Sequence, residues 1–459
     1  MSHKFNPTIL REYDIRGIVG DTLTEADAYA LGRTYAAFAR DEGARTLAVG
    51  RDGRTHSGML EAALIRGLTE GGIDVIQIGM GPSPMLYFAT HYLDVDGGMQ
   101  VTGSHNPADY NGFKLLLKGR SVFGAEIQAI GDRAARGHWS EGNGTIEEVD
   151  IREAYVGRLL EGFSGKPFRV GWDAGNGAAG PVLDMLVDRL AGQHHVIFSK
   201  VDGTFPNHHP DPTVEANLAD LKDLVAREQL DFGIAFDGDG DRIGAVDGKG
   251  RVIWGDQLLM ILAEPVLKEQ PGATIIADVK ASQTLFDRVA EIGGAPLMWK
   301  TGHSLIKSKM KETGAPLAGE MSGHIFFKHR WYGFDDALYA AVRLIEAVSA
   351  SGKSLTELKD AMPTAIATPE MRFQVNESRK FAIVDEVRER LSGDGAKVDA
   401  TDGVRVSTAD GWWLLRASNT QDVLVARAES ADQSGLDRLV EQIDDQLAKS
   451  GVTRVEAVH

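Results

Sequence analysis

Cysteine is absent from all 459 residues, which excludes disulfides, a thiolate nucleophile and a zinc centre built on thiolates, and agrees with a reducing compartment. Positive charge is in short supply as well: 49 Lys and Arg stand against 66 Asp and Glu, a formal net charge of −17. A field of that sign repels nucleic acid and anionic membrane, so an anionic ligand has to be captured by basic residues gathered locally. Long apolar runs are missing. No stretch approaches the ~18 residues of a spanning helix, and the N-terminal MSHKFNPTILREYDIRG holds no apolar signal core. The expectation is a cytoplasmic protein with no membrane, no nucleic-acid partner and no obligate protein partner. Low-complexity tracts are missing too, so linkers should be short.

What is present has an ordinary globular profile, 43% hydrophobic and 25% charged with 53 glycines and 15 prolines. At ~150 residues per domain the length predicts about three units. One pattern recurs: a short apolar strand running into an Asp and then small residues, as in TLAVGRDGR (46–54), FRVGWDAGNGAAG (168–180), FGIAFDGDGDR (232–242) and ATIIADVKAS (273–282). Amphipathic stretches such as ANLADLKDLVARE alternate with these strands, which predicts α/β units with mainly parallel sheets that bind ligands at their carboxyl ends. Composition shifts near residues 140–155 and near Gly255. After about residue 367 the style changes to MRFQVN and GWWLLRAS flanking a helix, read as a smaller α+β lid. The expected units are 1–150, 151–255, 256–367 and 368–459.

Four segments carry chemistry. Thr102-Gly103-Ser104-His105-Asn106-Pro107 sets a hydroxyl in a turn, with Gly103 expected to let a phosphate approach the backbone. No Gly-x-Ser-x-Gly elbow surrounds Ser104, so a hydrolase triad is unsupported. Asp237-Gly238-Asp239-Gly240-Asp241-Arg242 places three carboxylates at alternating positions, expected on one face of an extended backbone around a hard cation such as Mg²⁺. The loop continues RIGAVDG, without the terminal Glu of an EF-hand. Gly319-Glu320-Met321-Ser322-Gly323-His324 groups acceptor, hydroxyl and imidazole for sugar hydroxyls, with Lys280 and His303 adding donors upstream. Arg416-Ala417-Ser418-Asn419-Thr420, after the apolar WWLL, suits a phosphate cradle.

In this order and at these separations, the four segments resemble the α-D-phosphohexomutase superfamily, and within it the bacterial phosphomannomutase/phosphoglucomutase branch. The likeness runs from Tyr13-Asp14-Ile15-Arg16-Gly17 through FPNHHPDPT (205–213) to RASNT. It implies three similar mixed α/β domains and a smaller C-terminal α+β domain around a central cleft, each contributing one loop. It further implies that the enzyme interconverts mannose and glucose 1- and 6-phosphates through a phosphoserine at Ser104 and a bound hexose 1,6-bisphosphate. Asp237, Asp239, Asp241 and a Ser104 phosphate oxygen would then hold Mg²⁺. Glu320 and Ser322 would read sugar hydroxyls beside Lys280 and His303, and Arg416, Ser418, Asn419 and Thr420 would hold the distal phosphate. Tyr13 and Arg242 would line the cleft with Arg16, Lys114 and His324, the last three as acid or base candidates.

One departure stands out: Gln421-Asp422 follows the phosphate loop where several relatives have Pro, removing a rigid φ. Neutralising Asp239 is expected to stop activity without unfolding the chain, and to relieve like-charge strain. Two other readings remain at this level. One is a phosphatase or phosphotransferase with Asp237 as aspartyl nucleophile; the other is a non-catalytic regulator that binds sugar phosphates.

Overall fold

The computed structural model describes residues 2–393, 396–419 and 421–454. Its first three sheets repeat one strand order. In the first, the strands Asp74–Met80, Thr46–Arg51 and Gly97–Val101 run parallel side by side, and Tyr110–Leu117 pairs antiparallel on the far side of the third. Gly192–Ile197, Phe168–Asp173, Phe232–Phe236 and Ile243–Asp247 do the same in the second. Ala295–Trp299, Thr274–Asp278, Leu317–Gly319 and Ile325–Phe327 do so in the third. The order second, first, third, fourth is thus common to all three.

The apolar residues of these strands explain the layering. Gly97–Val101 and Phe232–Phe236 are buried at every position, as central strands covered on both faces must be. A single hydrophobic cluster crosses the three units, taking in Met85, Leu86 and Phe88 of the first, Trp172 and Phe236 of the second, and Leu259 and Phe334 of the third. At the end of the first strand of each unit stands the repeated Asp. Asp52 accepts from Arg54 N and Gly103 N, Asp173 from Gly175 N, and Asp278 from Met321 N and the Thr301 hydroxyl. These buried carboxylates tie turn backbones together.

The C-terminal unit is an antiparallel sheet centred on Gly411–Ala417 and Val423–Ser430, with the helices Glu377–Gly393 and Gln433–Lys449 packed on it around its own core of Phe373, Val387, Trp413 and Leu439. It docks on the third unit through a small apolar patch, where Val279 and Met298 meet Trp412 and Leu414, and through hydrogen bonds from buried charged groups. Arg405 donates to Val279 O and Ala281 O at 2.6 and 2.9 Å, while Glu429 accepts from Gln283 N and the Trp412 indole. Among the described residues no helix is long and apolar enough to cross a membrane.

Candidate active site

In each of the first three units the turn from the third parallel strand into the antiparallel fourth reaches one cleft. Those turns hold Ser104, Asp237 to Asp241, and Glu320 to His324; the fourth contribution, Arg416 to Asn419, leaves the strand Gly411–Ala417.

Ser104 is buried in a turn with φ 50°, a left-handed conformation that a residue with a Cβ seldom adopts. Its N–H donates to the Thr102 hydroxyl, and its own hydroxyl donates to Asp237 Oδ2 at 3.3 Å, with His105 Nδ1 at 3.1 Å. The role expected of Gly103 needs correction. A Cβ there would lie 2.4 Å from Arg54 Nε, so the glycine makes room for a buried guanidinium rather than for phosphate.

The three carboxylates converge, though not from an extended backbone. The chain turns sharply after Phe236, with Gly240 at φ 72° and Gly240 N bonded to Asp237 O, and this turn swings the side chains inward. Their oxygens come within 4.8 Å of one another and all three residues are fully buried. Asp237 Oδ1 closes the turn by accepting from Asp241 N and Arg242 N. Asp239 Oδ2 accepts from the Ser83 hydroxyl at 2.5 Å and from Lys114 Nζ at 2.6 Å, and Lys114 also reaches Asp241 Oδ2 at 2.5 Å. Asp239 Oδ1 and Asp241 Oδ1 are buried without a hydrogen-bond partner. Orphaned, fully buried hard oxygen donors fit a metal ion.

Charge is divided unevenly here. Burial, reinforced by Asp241 and Asp239, pushes the Asp237 carboxyl well above its usual range. Burial pushes Asp239 the same way, but Lys114 and Ser83 more than offset it and hold the group below the carboxylate range. For Lys114 desolvation is outweighed by the same two carboxylates, which keep the ammonium charged.

Other expected residues fall into connected groups. Arg242 Nε donates to His324 Nε2 at 3.1 Å, and His324 Nδ1 lies 3.0 Å from Asp335 Oδ2. Arg16 reaches Gly103 O and pairs with Asp14. Glu320 Oε1 accepts from Gly302 N at 2.7 Å and Oε2 from the Ser322 hydroxyl at 2.9 Å. His303 stacks on His324 and meets Tyr13 edge-on; burial first, then Lys307, holds its imidazole well below the usual pKa and so neutral. The Tyr13 hydroxyl donates to Thr301 O and accepts from Asn419 Nδ2 at 2.6 Å, joining three units. Arg416 Nε and Thr301 N share Asp402 Oδ2. Lys280 pairs with Glu370, which Lys280 and then Arg372 draw down to about 2. Ser418 accepts from Gln421 N, whose side chain accepts in turn from Arg372. Thr420 lies outside the described residues.

Sequence reasoning assigned no site role to Asp52, which it saw only as part of the repeated strand pattern, and missed Arg54, Ser83, Asp335 and Asp402, which touch the expected residues rather than carry a motif. For Arg54 a signal existed, since it follows the first of the repeated strand-to-Asp turns.

Comparison with known proteins gives four family matches, described as phosphoglucomutase/phosphomannomutase alpha/beta/alpha domain I (residues 7–141), domain II (153–250), domain III (254–365) and C-terminal domain (370–446). A phosphomannomutase/phosphoglucomutase of Pseudomonas aeruginosa is 45% identical over 441 residues, 96% of this chain and 95% of that protein. A phosphoglucomutase of Neisseria gonorrhoeae is 44% identical over 436 residues, 94% and 95% of the two chains. Among solved structures, a phosphoglucomutase/phosphomannomutase family protein of Burkholderia thailandensis superposes with a TM-score of 0.93 at 42% identity, covering 98% of this chain and 99% of its own.

Proposed function

Since the chain belongs to the phosphoglucomutase/phosphomannomutase family, we propose that it moves a phosphoryl group between O1 and O6 of mannose and glucose phosphates, with Ser104 as carrier and a hexose 1,6-bisphosphate as bound intermediate. The carrying observation is the Ser104 hydroxyl 3.3 Å from Asp237 Oδ2, on a buried turn that faces three carboxylates and their lysine.

In the forward half-reaction the bond from phosphorus to Ser104 Oγ breaks and one to a free sugar hydroxyl forms, while that hydroxyl gives up its proton. Mg²⁺, held by Asp237, Asp239 and Asp241, would supply charge neutralisation to the transferring group. Lys114, already charged, serves the same electrostatic purpose, and Arg242 extends it toward the sugar. Of the three acid or base candidates, His324 alone carries a nitrogen lone pair, at Nε2, and would take the hydroxyl's proton there once Arg242, which donates to it in the free enzyme, turns to the substrate, with Nδ1 still held by Asp335. Glu320 and Ser322 are suited to hydroxyls that mannose and glucose share, and Arg416 with Ser418 and Asn419 to the phosphate not in transfer. The bisphosphate then reverses and returns its other phosphoryl group to Ser104. Small hexose phosphates in the cytoplasm are the proposed substrates.

Asp237 as nucleophile is less well supported, because one of its oxygens closes its own turn. A coupled assay with glucose 1-phosphate and mannose 1-phosphate, with and without added bisphosphate, tests the proposal. Both sugars should turn over, bisphosphate should activate, and Ser104→Ala should lose nearly all turnover. Stoichiometric release of phosphate by the Ser104→Ala protein would instead mark an aspartyl phosphatase.

A further inference from the structure

We propose that Arg54 is the positioning residue that holds Ser104 in its reactive conformation, an inference that rests on Ser104 being the phosphoryl carrier. The Arg54 guanidinium lies beneath the Ser104 turn and donates to four of its carbonyls. Nη1 reaches Pro107 O at 2.5 Å and Tyr110 O at 3.0 Å; Nη2 reaches Ser104 O at 2.7 Å and Asn106 O at 2.6 Å. Its Nε stands 3.3 Å from Asp52 Oδ2, the oxygen that accepts from Gly103 N, so donors and acceptors of the turn are fixed by one buried ion pair.

Both ends of that pair are 1% exposed at the side chain. The second unit seals them: Phe205 lays its ring 5.1 Å from the guanidinium, and a Cβ at Gly203 would come within 2.6 Å of Arg54 Cα. The FPNHHPDPT segment thus begins as the cover of this clamp.

The need for a clamp follows from the turn itself. Converging carbonyls repel one another in a dry site unless a donor array satisfies them, and a planar guanidinium with fixed donors can serve four at once where an ammonium cannot. Ser104 also sits at φ 50°, a strained conformation that persists only when its surroundings impose it. Released, the turn would relax and carry Oγ away from Asp237 without dismantling the carboxylate cluster or the sugar-reading turn, which hang on other strands.

Dephosphorylated enzyme mixed rapidly with glucose 1,6-bisphosphate, with phosphate on Ser104 followed by intact mass, reads this step directly. Arg54→Lys keeps the charge but cannot span four carbonyls. Phosphorylation and kcat should both fall at least about tenfold, with KM for hexose phosphate within about threefold of wild type. Gly103→Ala, whose methyl would displace the guanidinium, should give the same split and serves if the lysine variant does not fold. Wild-type phosphorylation in the folded variant overturns the inference. So does a variant in which KM worsens as much as kcat, which would mark a general structural role. If the wild-type protein itself takes no phosphate on Ser104 while Ser104→Ala still turns over, the carrier reading fails, and the clamp with it.

Discussion

Asp237 and Asp239 are two residues apart yet held in opposite electrostatic states, one driven toward its neutral form by burial and its neighbours, the other pinned as an anion by Lys114. Their substitutions should therefore part company. Asp237→Asn keeps an oxygen for Asp241 N and Arg242 N while removing a disfavoured charge, so in chelator its Tm should rise although turnover is lost. Asp239→Ala strips a buried lysine of one carboxylate and Ser83 of its acceptor, at a cost of roughly 3 kcal/mol, so its Tm should fall. This reverses the strain relief that the bare charge pattern implied for Asp239, because the sequence does not reveal that Lys114, from another unit, supplies the counter-charge. Thermal unfolding of both variants in EDTA decides the matter. Glu320 calls for a similar pair. Glu320→Ala leaves Gly302 N unsatisfied and should lose stability along with at least about tenfold in kcat/KM for both sugars. Glu320→Gln retains that acceptor, so activity lost at unchanged Tm would isolate sugar reading; a loss on one epimer alone would mean that O2 is being read.

At the level of elements, the parallel strands were largely legible, since apolar runs ending in Asp fall where the structure has them; their order within each sheet was not, because pairing is set by contacts distant in the chain. The convergence of the carboxylates was not, because alternation along a strand and a turn at Gly240 bring the same residues together differently. Another element carries a pH signature. The helix Ala337–Ser351 is capped by Asp336, whose Oδ1 accepts from Tyr339 N and whose Oδ2 takes the Tyr155 hydroxyl. Burial pushes this carboxyl up to about 7 from 3.8. The folded protein keeps a proton that the unfolded chain gives up above about pH 4, so the contribution to stability is complete below the unfolded value and is lost as pH rises toward 7. Its slope should approach ~1.4 kcal/mol per pH unit. Asp336→Asn preserves the cap and should flatten that decline in urea titrations from pH 4 to 7; an unchanged slope would place the proton elsewhere.

Across the whole molecule, the Tyr13 hydroxyl joins the first unit to Thr301 of the third and Asn419 of the fourth. Sequence placed Tyr13 in the cleft but could not show that its partners are other cleft residues, which lie 288 and 406 positions away. Tyr13→Phe removes both bonds, about 1–3 kcal/mol together, and should let water in. Inorganic phosphate released per turnover should climb several-fold while kcat falls modestly, and a leak no greater than wild type would mean the C-terminal unit closes without this tie. The three repeated turns have a different kind of consequence. The roles proposed for phosphoryl carriage, metal binding and hydroxyl reading fall in separate copies of one strand-to-strand bend, yet the second and third copies are tied to each other, by a bridge between Arg242 and His324 and by Ile243 N donating to Gly323 O at 3.0 Å. Lengthening or rewriting either of these two bends therefore pulls on the other, so such a scaffold changes the sugar it accepts only by paired drift, with each step in the hydroxyl-reading copy answered in the copy that holds the carboxylates.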